Sequence, residues 1–307
     1  MKKLLTVVGL NENVASFIKE QQYEVLTEDQ INESNASEIE IIMSNGGGVV
    51  SKALLDKLPN VKIIDNFGVG YDGVDVAECK KRDIAICTTP GVLTEDVADL
   101  AISLMLNVSR KITFANNFIA DGKWEQNHKL ALATKVSGKK VGIVGLGRIG
   151  NAVAKRACAF DMEIYYYDNF IENKNYTKVD DLIKLASLVD YLIICAAATE
   201  ENRNLINAEV LKALGTEGFL INVARGSLVD EQALIDAIVN NQIKGAGLDV
   251  FVKEPYVPQQ LIGRDNVVVT PHIASATVET RLLMANIVID NMKAFLEGRD
   301  LPTKLKL

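Results

Sequence analysis

Short apolar runs and helical patterns alternate over the first hundred residues of the chain. Strands are predicted near 4–8, 41–43, 61–64 and 84–86, with helices near 13–20, 51–57 and 74–81. This alternation is typical of a parallel sheet with crossover helices. The first run follows Met1-Lys2-Lys3, as in a signal peptide. However, it is short and lacks a small-residue cleavage site, so we interpret it as a buried strand.

A second series of alternating elements begins at Lys139, after a long helix. Pro90-Gly91 interrupts the first series, and Thr94-Glu95-Asp96 then supplies helix-starting side chains ahead of the apolar-rich run 97–108. Strands are predicted near 141–145, 162–167, 191–195, 219–223, 245–249 and 266–270, with helices near 149–160, 179–187, 207–214 and 230–240. Six strands are the number in a complete dinucleotide-binding fold. A last helical segment, 275–296, is expected to pack on the first domain.

A glycine-rich loop joins the first strand of the second series to the helix after it. The loop reads Gly145-Leu-Gly147-Arg-Ile-Gly150. In this motif the first glycine permits a tight turn, the second lets the backbone approach a pyrophosphate, and the third allows close packing of helix on strand. The helix N-terminus then faces the phosphates with free N–H groups. The loop therefore predicts a dinucleotide site, with Arg148 and Ile149 as further candidate contacts, although a lone motif of this kind also occurs in ordinary turns.

An acidic residue follows the second strand of this series at the spacing that ribose recognition requires. Asp168 comes directly after the apolar strand and 18 residues after Gly150. A carboxylate in this place accepts hydrogen bonds from the ribose hydroxyls and repels a 2′-phosphate. The next residues, 169–172, contain no arginine to receive such a phosphate. The sequence therefore predicts NAD as the cofactor, in preference to NADP.

Three polar side chains with different chemical uses follow the fourth, fifth and sixth strands. They are Arg225, Glu254 and His272. Ligands of open α/β sheets bind beyond the carboxyl ends of the strands, so we expect these side chains on one rim. Imidazole suits proton transfer near neutral pH, a neighbouring carboxylate would orient it, and a guanidinium can hold a substrate carboxylate. We predict His272 as the acid/base, Glu254 as its partner and Arg225 as the substrate clamp.

Each of these three residues also has a plainer interpretation. His272 could be a surface or capping residue, Arg225 a charge beside a helix, and Glu254 an ordinary solvated acid. Their joint placement behind an intact nucleotide loop favours the functional interpretation. The other histidine, His128, lies in a polar connection and is assigned a structural or peripheral role.

Glycine loops in the first domain are candidate anion sites. The segment 66–72, with Gly68 and Gly70, follows a predicted strand, and its glycines can leave backbone N–H groups free to bind an anion. The segment 45–48 is similar, although glycine loops are more often plain turns. Thr94, at the domain junction, either approaches a ligand or caps its helix, and capping is the favoured interpretation.

Composition narrows the class of protein. With 307 residues, the chain is long enough for two domains, and 48% hydrophobic and 24% charged residues are typical of soluble globular proteins. The net charge of −7 argues against a nucleic-acid partner, which normally requires a basic excess. No stretch reaches the roughly 20 apolar residues of a membrane span. We therefore expect no membrane partner and a cytoplasmic location.

The cysteines indicate neither disulfides nor a metal site. Cys79, Cys87, Cys158 and Cys195 stand far apart in mostly apolar surroundings, with no spacing typical of metal ligands. We expect all four to be reduced, buried thiols.

Several of these segments together resemble a known family. The chain is similar over essentially its full length to the D-isomer specific 2-hydroxyacid dehydrogenases, and most of all to their hydroxypyruvate/glyoxylate and hydroxyphenylpyruvate reductase branch. The resemblance is carried, in chain order, by Gly68-Val-Gly70-Tyr-Asp72-Gly-Val-Asp75, residues 89–99, the Gly145 loop, Asn222-Val-Ala-Arg225-Gly226, residues 248–255 and Pro271-His272-Ile-Ala-Ser-Ala-Thr277.

The resemblance implies a particular domain organisation. It predicts an α/β protein of two Rossmann-like or flavodoxin-like domains with doubly wound parallel sheets, the nucleotide-binding domain being inserted in the substrate domain. The predicted substrate-binding (catalytic) domain comprises 1–98 and 285–307, and the NAD-binding domain comprises 99–284, with a cleft between the two. A homodimer joined through the nucleotide domain is also implied, with the segment around Trp124 reaching towards the partner.

The resemblance also implies a reaction: NAD(P)H-linked reduction of a 2-oxo acid to its D-2-hydroxy acid. Arg225 would bind the substrate carboxylate, His272 would act as the acid/base and Glu254 as its partner. The backbone at Val69 and Gly70 would hold the substrate carboxylate. Further cofactor contacts are expected at Val223, at Arg225 and at Asp249, the last near the nicotinamide carboxamide.

One departure from the family pattern affects the choice of cofactor. Reductases nearest in pattern often carry Ser-Arg where this chain has Asp168-Asn169, and they prefer NADPH, so we expect NADH here. The predicted function is reduction of a small 2-oxo acid such as hydroxypyruvate or glyoxylate. Two alternatives stay open at this point: an NAD(H)-sensing corepressor-type binding protein, and a D-lactate, phosphoglycerate or formate dehydrogenase.

Overall fold

The computed structural model describes residues 2–306 of the protein. The chain forms two compact units, one of Met1–Leu93 with Ala276–Leu307 and one of Thr94–Ser275. We call these the split unit and the inserted unit. None of the helices within residues 2–306 combines the length and the apolar character needed to span a membrane.

The split unit contains a five-stranded sheet in which all neighbouring strands are parallel. Its strands are β1 (Lys2–Thr6), β2 (Tyr23–Leu26), β3 (Ile39–Asn45), β4 (Ile63–Phe67) and β5 (Ala85–Cys87), in spatial order β2-β1-β3-β4-β5. The helices between them are α1 (Glu12–Glu20), α2 (Lys52–Lys57) and α3 (Val76–Lys81). This strand order is the flavodoxin-like arrangement.

The inserted unit contains a second parallel sheet, with seven strands. They are β6 (Lys140–Val144), β7 (Glu163–Tyr167), β8 (Thr177–Lys178), β9 (Tyr191–Ile194), β10 (Phe219–Asn222), β11 (Gly245–Leu248) and β12 (Val267–Val269), in spatial order β12-β11-β10-β9-β6-β7-β8. Its helices are α4 (Thr94–Arg110), α5 (Ile112–Ala120), α6 (Arg148–Cys158), α7 (Leu182–Leu188), α8 (Ala208–Leu214) and α9 (Glu231–Val239). The predicted fold class, two doubly wound α/β domains, is confirmed.

The last helix, α10 (Val278–Leu296), belongs again to the split unit. It contacts α1 and β4, and its buried residues Ala285, Val288 and Met292 share a core with residues of β1 and β3. The sequence-based expectation that this segment returns to the first domain therefore holds, because its apolar face completes that core.

The boundaries between the two compact units differ from the predicted domain boundaries. We predicted boundaries after residues 98 and 284, whereas the units change after Leu93 and after Ser275. The predicted positions fall inside α4 and α10, and the observed ones precede both helices. Each helix is thereby kept whole, and α4 packs along its length on α6, β10 and β11 of the inserted unit.

Three elements lie outside the sequence prediction. β2 and β8 are short strands at sheet edges, and β8 has only two residues, so the expected six strands of the nucleotide unit become seven. A periodic pattern does not develop over so few residues. The helix α5 buries none of its residues, and only Phe114, Ala115 and Phe118 are partly buried.

The expectation of four buried thiols is wrong at two positions. All four cysteines are free, and Cys79 and Cys87 are buried, whereas Cys195 is partly exposed and Cys158 is exposed. Cys158 is the last residue of α6, and the buried positions there are Ala154 and Ala157. One further residue turns the helix by about 100°, so Cys158 faces solvent.

Candidate active site

The glycine loop after β6 has the close approaches that its sequence predicts. Gly145 has a φ of +89°, and a Cβ there would lie 2.6 Å from the Ala196 backbone. A Cβ on Gly150 would lie 2.1 Å from the carbonyl oxygen of Gly145. The backbone N–H of Gly145 donates to the carbonyl of Tyr167, which ties the loop to the end of β7. Both glycines are therefore required by the packing of the chain itself.

Gly147 differs, because the chain leaves its surroundings open. A Cβ there would meet no atom within 4 Å, and Gly147 is the N-cap of α6 with no side chain capping the helix. By contrast, a side-chain oxygen caps seven other helices, at Asn11, Ser51, Asp75, Asp181, Asn207, Asp230 and Thr277. The first turn of α6 contains no acidic residue, Arg148 is exposed and Ile149 is partly buried. This open, uncapped N-terminus fits an external phosphate group.

Asp168 lies beside this loop at the end of β7. Its Oδ2 accepts a hydrogen bond from the Leu146 backbone N–H at 2.8 Å. Its Oδ1 accepts from the N–H groups of Phe170 and Ile171 at 2.8 and 2.9 Å. Three backbone donors therefore fix the carboxylate next to the glycine loop, as ribose recognition requires. The residues present fit an NAD-type dinucleotide.

The turn after β10 presents Arg225. The Asn222 side chain donates to the Arg225 carbonyl at 2.9 Å, and the guanidinium donates to the Ala224 carbonyl at 2.8 Å. A Cβ on Gly226 would lie 2.1 Å from the carbonyl carbon of Phe251, so this turn packs directly on the segment after β11. Val223, one of the candidate cofactor contacts, is buried in the same turn.

His272 and Glu254 form a hydrogen-bonded pair. The distance from His272 Nδ1 to Glu254 Oε2 is 2.6 Å, and the two side chains are 39% and 34% exposed. The other oxygen, Oε1, accepts from the Phe251 backbone N–H at 3.1 Å. Burial raises the pKa of the Glu254 carboxyl, but the hydrogen bonds from His272 and Phe251 and the positive charge of Arg225 lower it below its ordinary value. Glu254 is thus held as a carboxylate against the imidazole.

The backbone of His272 is held in an unusual conformation. Its φ is +52°, in the left-handed region, and its N–H lies 2.9 Å from the carbonyl of Asp249 and 3.1 Å from that of Thr270. A non-glycine residue with this φ is uncommon, and such conformations cluster at functional sites. Here the conformation directs the imidazole from the end of β12 towards Glu254.

Asp249 is buried directly beneath this turn. Its Oδ1 accepts from the Thr270 hydroxyl at 2.6 Å and from the Ile273 N–H at 2.8 Å, and its Oδ2 accepts from the Ala274 N–H at 2.9 Å. Burial raises the pKa of the Asp249 carboxyl, and these hydrogen bonds offset only part of the increase. Asp249 therefore anchors the His272 turn, and its contact with a cofactor stays a prediction.

In the split unit, the loop after β4 has free backbone donors. The Asn66 amide donates to the carbonyls of Gly68 and Gly70 at 3.1 and 3.0 Å. Within residues 2–306, the backbone N–H groups of Val69 and Gly70 donate to no other group. Val69 is exposed and Gly70 partly so. The loop therefore presents two N–H groups, as an anion-binding nest requires.

Several positioning residues escaped the sequence analysis. Asn222, Asn66 and Thr270 hold the turns that carry the predicted residues, and Gly226 permits the approach to Phe251. Asn222 and Gly226 stand within the motif around Arg225, so their spacing could have indicated them. Asn66 and Thr270 give no comparable signal, because their partners are known only once the loops are folded.

The remaining candidates lie in ordinary surroundings. His128 is exposed, and its backbone N–H donates to the Lys123 carbonyl. Thr94 is the first residue of α4. Across residues 2–306, no group of three or more His, Cys, Asp or Glu side chains is arranged to hold a metal ion.

The comparisons with known proteins agree with this geometry. Residues 102–274 match the family model described as D-isomer specific 2-hydroxyacid dehydrogenase, NAD binding domain. Glyoxylate/hydroxypyruvate reductase A of Arabidopsis thaliana is 43% identical over 272 residues, which cover 88% of this chain and 87% of that protein. Hydroxyphenylpyruvate reductase of Plectranthus scutellarioides is 45% identical over 269 residues, 87% of this chain and 86% of that protein.

A solved structure matches nearly the whole chain. It is the NADPH-dependent glyoxylate/hydroxypyruvate reductase of Sinorhizobium meliloti in complex with NADP and malonate, with a TM-score of 0.93 and 38% identity over 99% of this chain and 97% of that one. The sequence matches cover most of the chain at over 40% identity, and the structural match covers both units. The protein belongs to the D-isomer specific 2-hydroxyacid dehydrogenase family.

Proposed function

We propose that the protein is an NADH-dependent reductase that converts a small 2-oxo acid, such as hydroxypyruvate or glyoxylate, to its D-2-hydroxy acid. The observation that carries this proposal is the 2.6 Å contact between His272 Nδ1 and Glu254 Oε2. This pair lies in the unit that also contains the glycine loop and Asp168. A proton donor and a dinucleotide site are the two requirements for adding a hydride and a proton to a ketone.

His272 is the proton donor in this proposal. A bound nicotinamide cofactor would supply the hydride. Because Nδ1 faces Glu254, the other ring nitrogen, Nε2, is the one left to give its proton to the oxygen of the reduced carbonyl. The Glu254 carboxylate stabilises the protonated ring and fixes its orientation. In the oxidation direction the same nitrogen accepts the hydroxyl proton.

The substrate carboxylate is assigned to Arg225 and to the loop at Val69 and Gly70. A guanidinium binds a carboxylate through two parallel hydrogen bonds, and its charge also polarises a carbonyl next to that carboxylate. The two N–H groups of the loop supply further donors. Because Arg225 lies in the same unit as His272, a carboxylate bound by its guanidinium would hold the 2-oxo carbon near the proton donor, which is why a 2-oxo acid suits the site better than a simple ketone.

The preference for NADH is supported by Asp168. Its carboxylate occupies the end of β7, where a 2′-phosphate would be repelled. The neighbouring side chains of residues 169–172 provide no guanidinium. The Sinorhizobium meliloti reductase is described as NADPH-dependent, so the two proteins would differ in this property.

The alternatives are less well supported. The relatives compared above are named as reductases, which favours an enzyme over an NAD(H)-sensing corepressor-type binding protein. The same names favour glyoxylate, hydroxypyruvate or an aryl pyruvate over the substrates of D-lactate, phosphoglycerate and formate dehydrogenases.

A homodimer joined through the inserted unit is supported by an unusual exposed segment. Residues 112–133 include no buried residue, and even the large apolar side chains of this segment are exposed: Ile112, Ile119 and Trp124 are 53%, 59% and 68% exposed. Apolar exposure of this extent marks a protein interface. Analytical ultracentrifugation of the double variant Trp124→Ser with Ile119→Ser tests the interface, because these changes should shift a dimer to monomers.

A cytoplasmic location is supported by the four free cysteines, since thiols persist in reducing compartments.

Initial-rate measurements test the function directly. Glyoxylate, hydroxypyruvate, pyruvate, phenylpyruvate and hydroxyphenylpyruvate would each be assayed with NADH and with NADPH, and the chirality of the product determined. We expect turnover of the small substrates with NADH and formation of the D-isomer. Stoichiometric NADH binding without turnover of any of these acids would overturn the proposal and favour the binding-protein alternative.

A further inference from the structure

An aromatic side chain lies exposed next to the carboxylate that is expected to bind the ribose. Phe170 is 95% exposed, and its backbone N–H donates to Oδ1 of Asp168 at 2.8 Å. The chain contains nine phenylalanines, all within residues 2–306, and only Phe170 is exposed. A phenylalanine ring in water forgoes the stabilisation that burial would give. The inserted unit by itself therefore gains nothing from the position of this ring.

The backbone that carries Phe170 is tied to the glycine loop. The side-chain amide of Asn173 donates to Oδ1 of Asn151 at 3.1 Å, and the backbone N–H of Asn173 donates to the Tyr166 hydroxyl at 2.9 Å. The Asn151 side chain in turn donates to the Gly147 carbonyl at 3.1 Å. The loop after β7 is thus braced on both sides of Phe170. Its exposed ring is presented from a fixed backbone beside the expected dinucleotide site.

The loop on the other side of the glycine loop carries only small, uncharged side chains. In the sheet, β6 lies between β9 and β7, so the loops after β9 and β7 flank the glycine loop. The loop after β9 begins Cys195-Ala-Ala-Ala-Thr199, and the Asn202 side chain fixes it by donating to the Ala197 carbonyl at 2.7 Å. Ligands of doubly wound sheets bind where the strand order reverses in this way. Small side chains on one flank and an exposed ring on the other leave room for a flat group.

The chemistry of the cofactor identifies this flat group. The ribose hydroxyls that Asp168 would bind belong to the sugar that carries the adenine base, so the base must lie beside the residues around that carboxylate. Adenine is flat and aromatic, and aromatic side chains bind such bases by stacking on their faces. The rings of Tyr165, Tyr166 and Tyr167 are buried or partly buried in β7. Phe170 is therefore the aromatic ring of this segment that is free to stack.

We propose that Phe170 binds the adenine base of the dinucleotide by stacking on its face. This inference rests on the proposed function for the presence of a dinucleotide at the glycine loop, and it adds a residue that supplies affinity for the adenosine half. Stacking requires an aromatic face and no hydrogen bond, so tyrosine should replace phenylalanine at this position. Adenine and nicotinamide occupy opposite ends of the cofactor, so the ring contributes to binding and not to the chemical step.

The test measures cofactor binding and turnover separately. The Kd of NADH and of ADP-ribose, which both contain the adenosine half, would be measured by calorimetry for the full-length wild type and for Phe170→Ala. We expect both values to rise by about tenfold, which corresponds to about 1.4 kcal/mol and lies within the range for base–aromatic stacking. In steady-state reduction, the KM for NADH should rise similarly, whereas kcat at saturating NADH should not fall.

Two further variants and a control test whether the aromatic face is responsible. Phe170→Tyr should keep the Kd of both ligands within about twofold of the wild type, whereas Phe170→Leu, which keeps apolar bulk but no flat face, should recover only part of the affinity. The control is Val239→Ala, because Val239 is also an exposed apolar residue of the inserted unit, at the end of α9. It should change neither Kd.

Thermal unfolding and sedimentation separate stacking from other roles of the ring. Phe170→Ala should unfold at the wild-type temperature, because the ring is exposed. An unchanged Kd of NADH and ADP-ribose in Phe170→Ala, or full affinity in Phe170→Leu, would overturn the inference while leaving the proposed reductase function intact. An unchanged Kd together with an altered oligomeric state would assign the ring to a contact between copies of the chain. Absence of NADH binding by the wild type would instead overturn the proposed function.

Discussion

The Nδ1 atom of His272 lies 2.6 Å from Oε2 of Glu254, and the carboxylate is also held by the backbone N–H of Phe251. Three separate features converge on this pair: the turn after β11, the left-handed backbone of His272, and the buried Asp249 beneath it. A histidine that was only a surface residue would not need this support. The arrangement indicates a proton-transfer group held in one orientation.

Replacing His272 by alanine should lower kcat strongly. Loss of a positioned proton donor typically costs about 10²-fold to 10⁴-fold in rate, whereas NADH should still bind because the glycine loop is unchanged. The matched control is His128→Ala, since His128 is the second of only two histidines and is exposed. Steady-state kinetics and NADH titration distinguish the two variants. A His272→Ala enzyme that keeps its kcat would rule out the proton-donor role.

Replacing Glu254 by glutamine should lower kcat. Glutamine keeps the shape of the side chain but lacks the charge that stabilises the imidazole as a proton donor. The rate of reduction should therefore fall by about 10-fold to 100-fold. Glu231→Gln is the control, because Glu231 accepts a hydrogen bond from Val252 in the same segment. The measurement is kcat for reduction at saturating NADH, and a Glu254→Gln enzyme that keeps its kcat would contradict the role assigned to Glu254.

The features predicted correctly from the sequence are those in which nearby backbone restricts the residue type that fits at a position. Gly145 and Gly150 are required by contacts within one strand–loop–helix unit, and Asp168 follows at a spacing set by that same unit. Arg225, Glu254 and His272 follow the three successive strands β10, β11 and β12, so a parallel sheet alone brings them to one edge. Such relations depend on short stretches of chain, and they are therefore visible as motifs.

The parts that were missed depend on packing between distant residues. Asn291 acquires its contact with Asp65 only when α10 returns to β4, more than 200 residues away in the sequence. Ile112 and Ile119 of α5 are 53% and 59% exposed, although apolar side chains of this size are usually buried. Cys158 has an apolar neighbourhood in sequence but lies on the outer side of α6. None of these properties follows from local pattern.

Alanine variants of the glycine loop should separate stability from cofactor binding. Gly147→Ala should leave the free energy of unfolding nearly unchanged, because its φ is −67° and its Cβ would meet no atom within 4 Å. It should nevertheless weaken NADH binding, since the methyl group occupies the side open to the pyrophosphate. Gly150→Ala should reduce stability by about 1–3 kcal/mol, because its Cβ would lie 2.1 Å from a backbone oxygen. Urea unfolding and NADH titration test both, and tight NADH binding by Gly147→Ala would contradict the assigned pyrophosphate position.

Exchanging the acidic residue after β7 should change the cofactor preference. The double variant Asp168→Ser with Asn169→Arg removes the carboxylate that repels a 2′-phosphate and adds a guanidinium that can bind one. We expect the ratio of kcat/KM for NADPH to that for NADH to rise by at least about tenfold, which corresponds to about 1.4 kcal/mol. The control Glu172→Ser removes another negative charge of the same segment, whose side chain is 85% exposed. If the ratio of kcat/KM for NADPH to that for NADH rose equally in the double variant and in Glu172→Ser, the net charge of the segment, and not ribose recognition, would set the cofactor preference.

The buried Asp65 should make the stability of the protein fall as the pH rises. Asp65 lies in β4, its Oδ1 accepts from the Asn291 side chain at 3.1 Å, and its Oδ2 is buried with no hydrogen-bond partner within residues 2–306. Burial raises the pKa of the Asp65 carboxyl to about 8, which the hydrogen bond from Asn291 only partly offsets.

This pKa fixes the sign of the effect. Between the ordinary aspartate pKa of about 3.9 and the raised value, the folded protein holds a proton that the unfolded chain releases. The free energy of unfolding therefore declines across this interval, by an amount on the order of a few kcal/mol. Asp65→Asn should remove the decline, so that the variant is more stable than the wild type at pH 8 and similar to it at pH 4. Urea unfolding at a series of pH values, with the exposed Asp290→Asn as control, measures the difference. A parallel decline in Asp65→Asn and the wild type would show that Asp65 is not the group that takes up the proton.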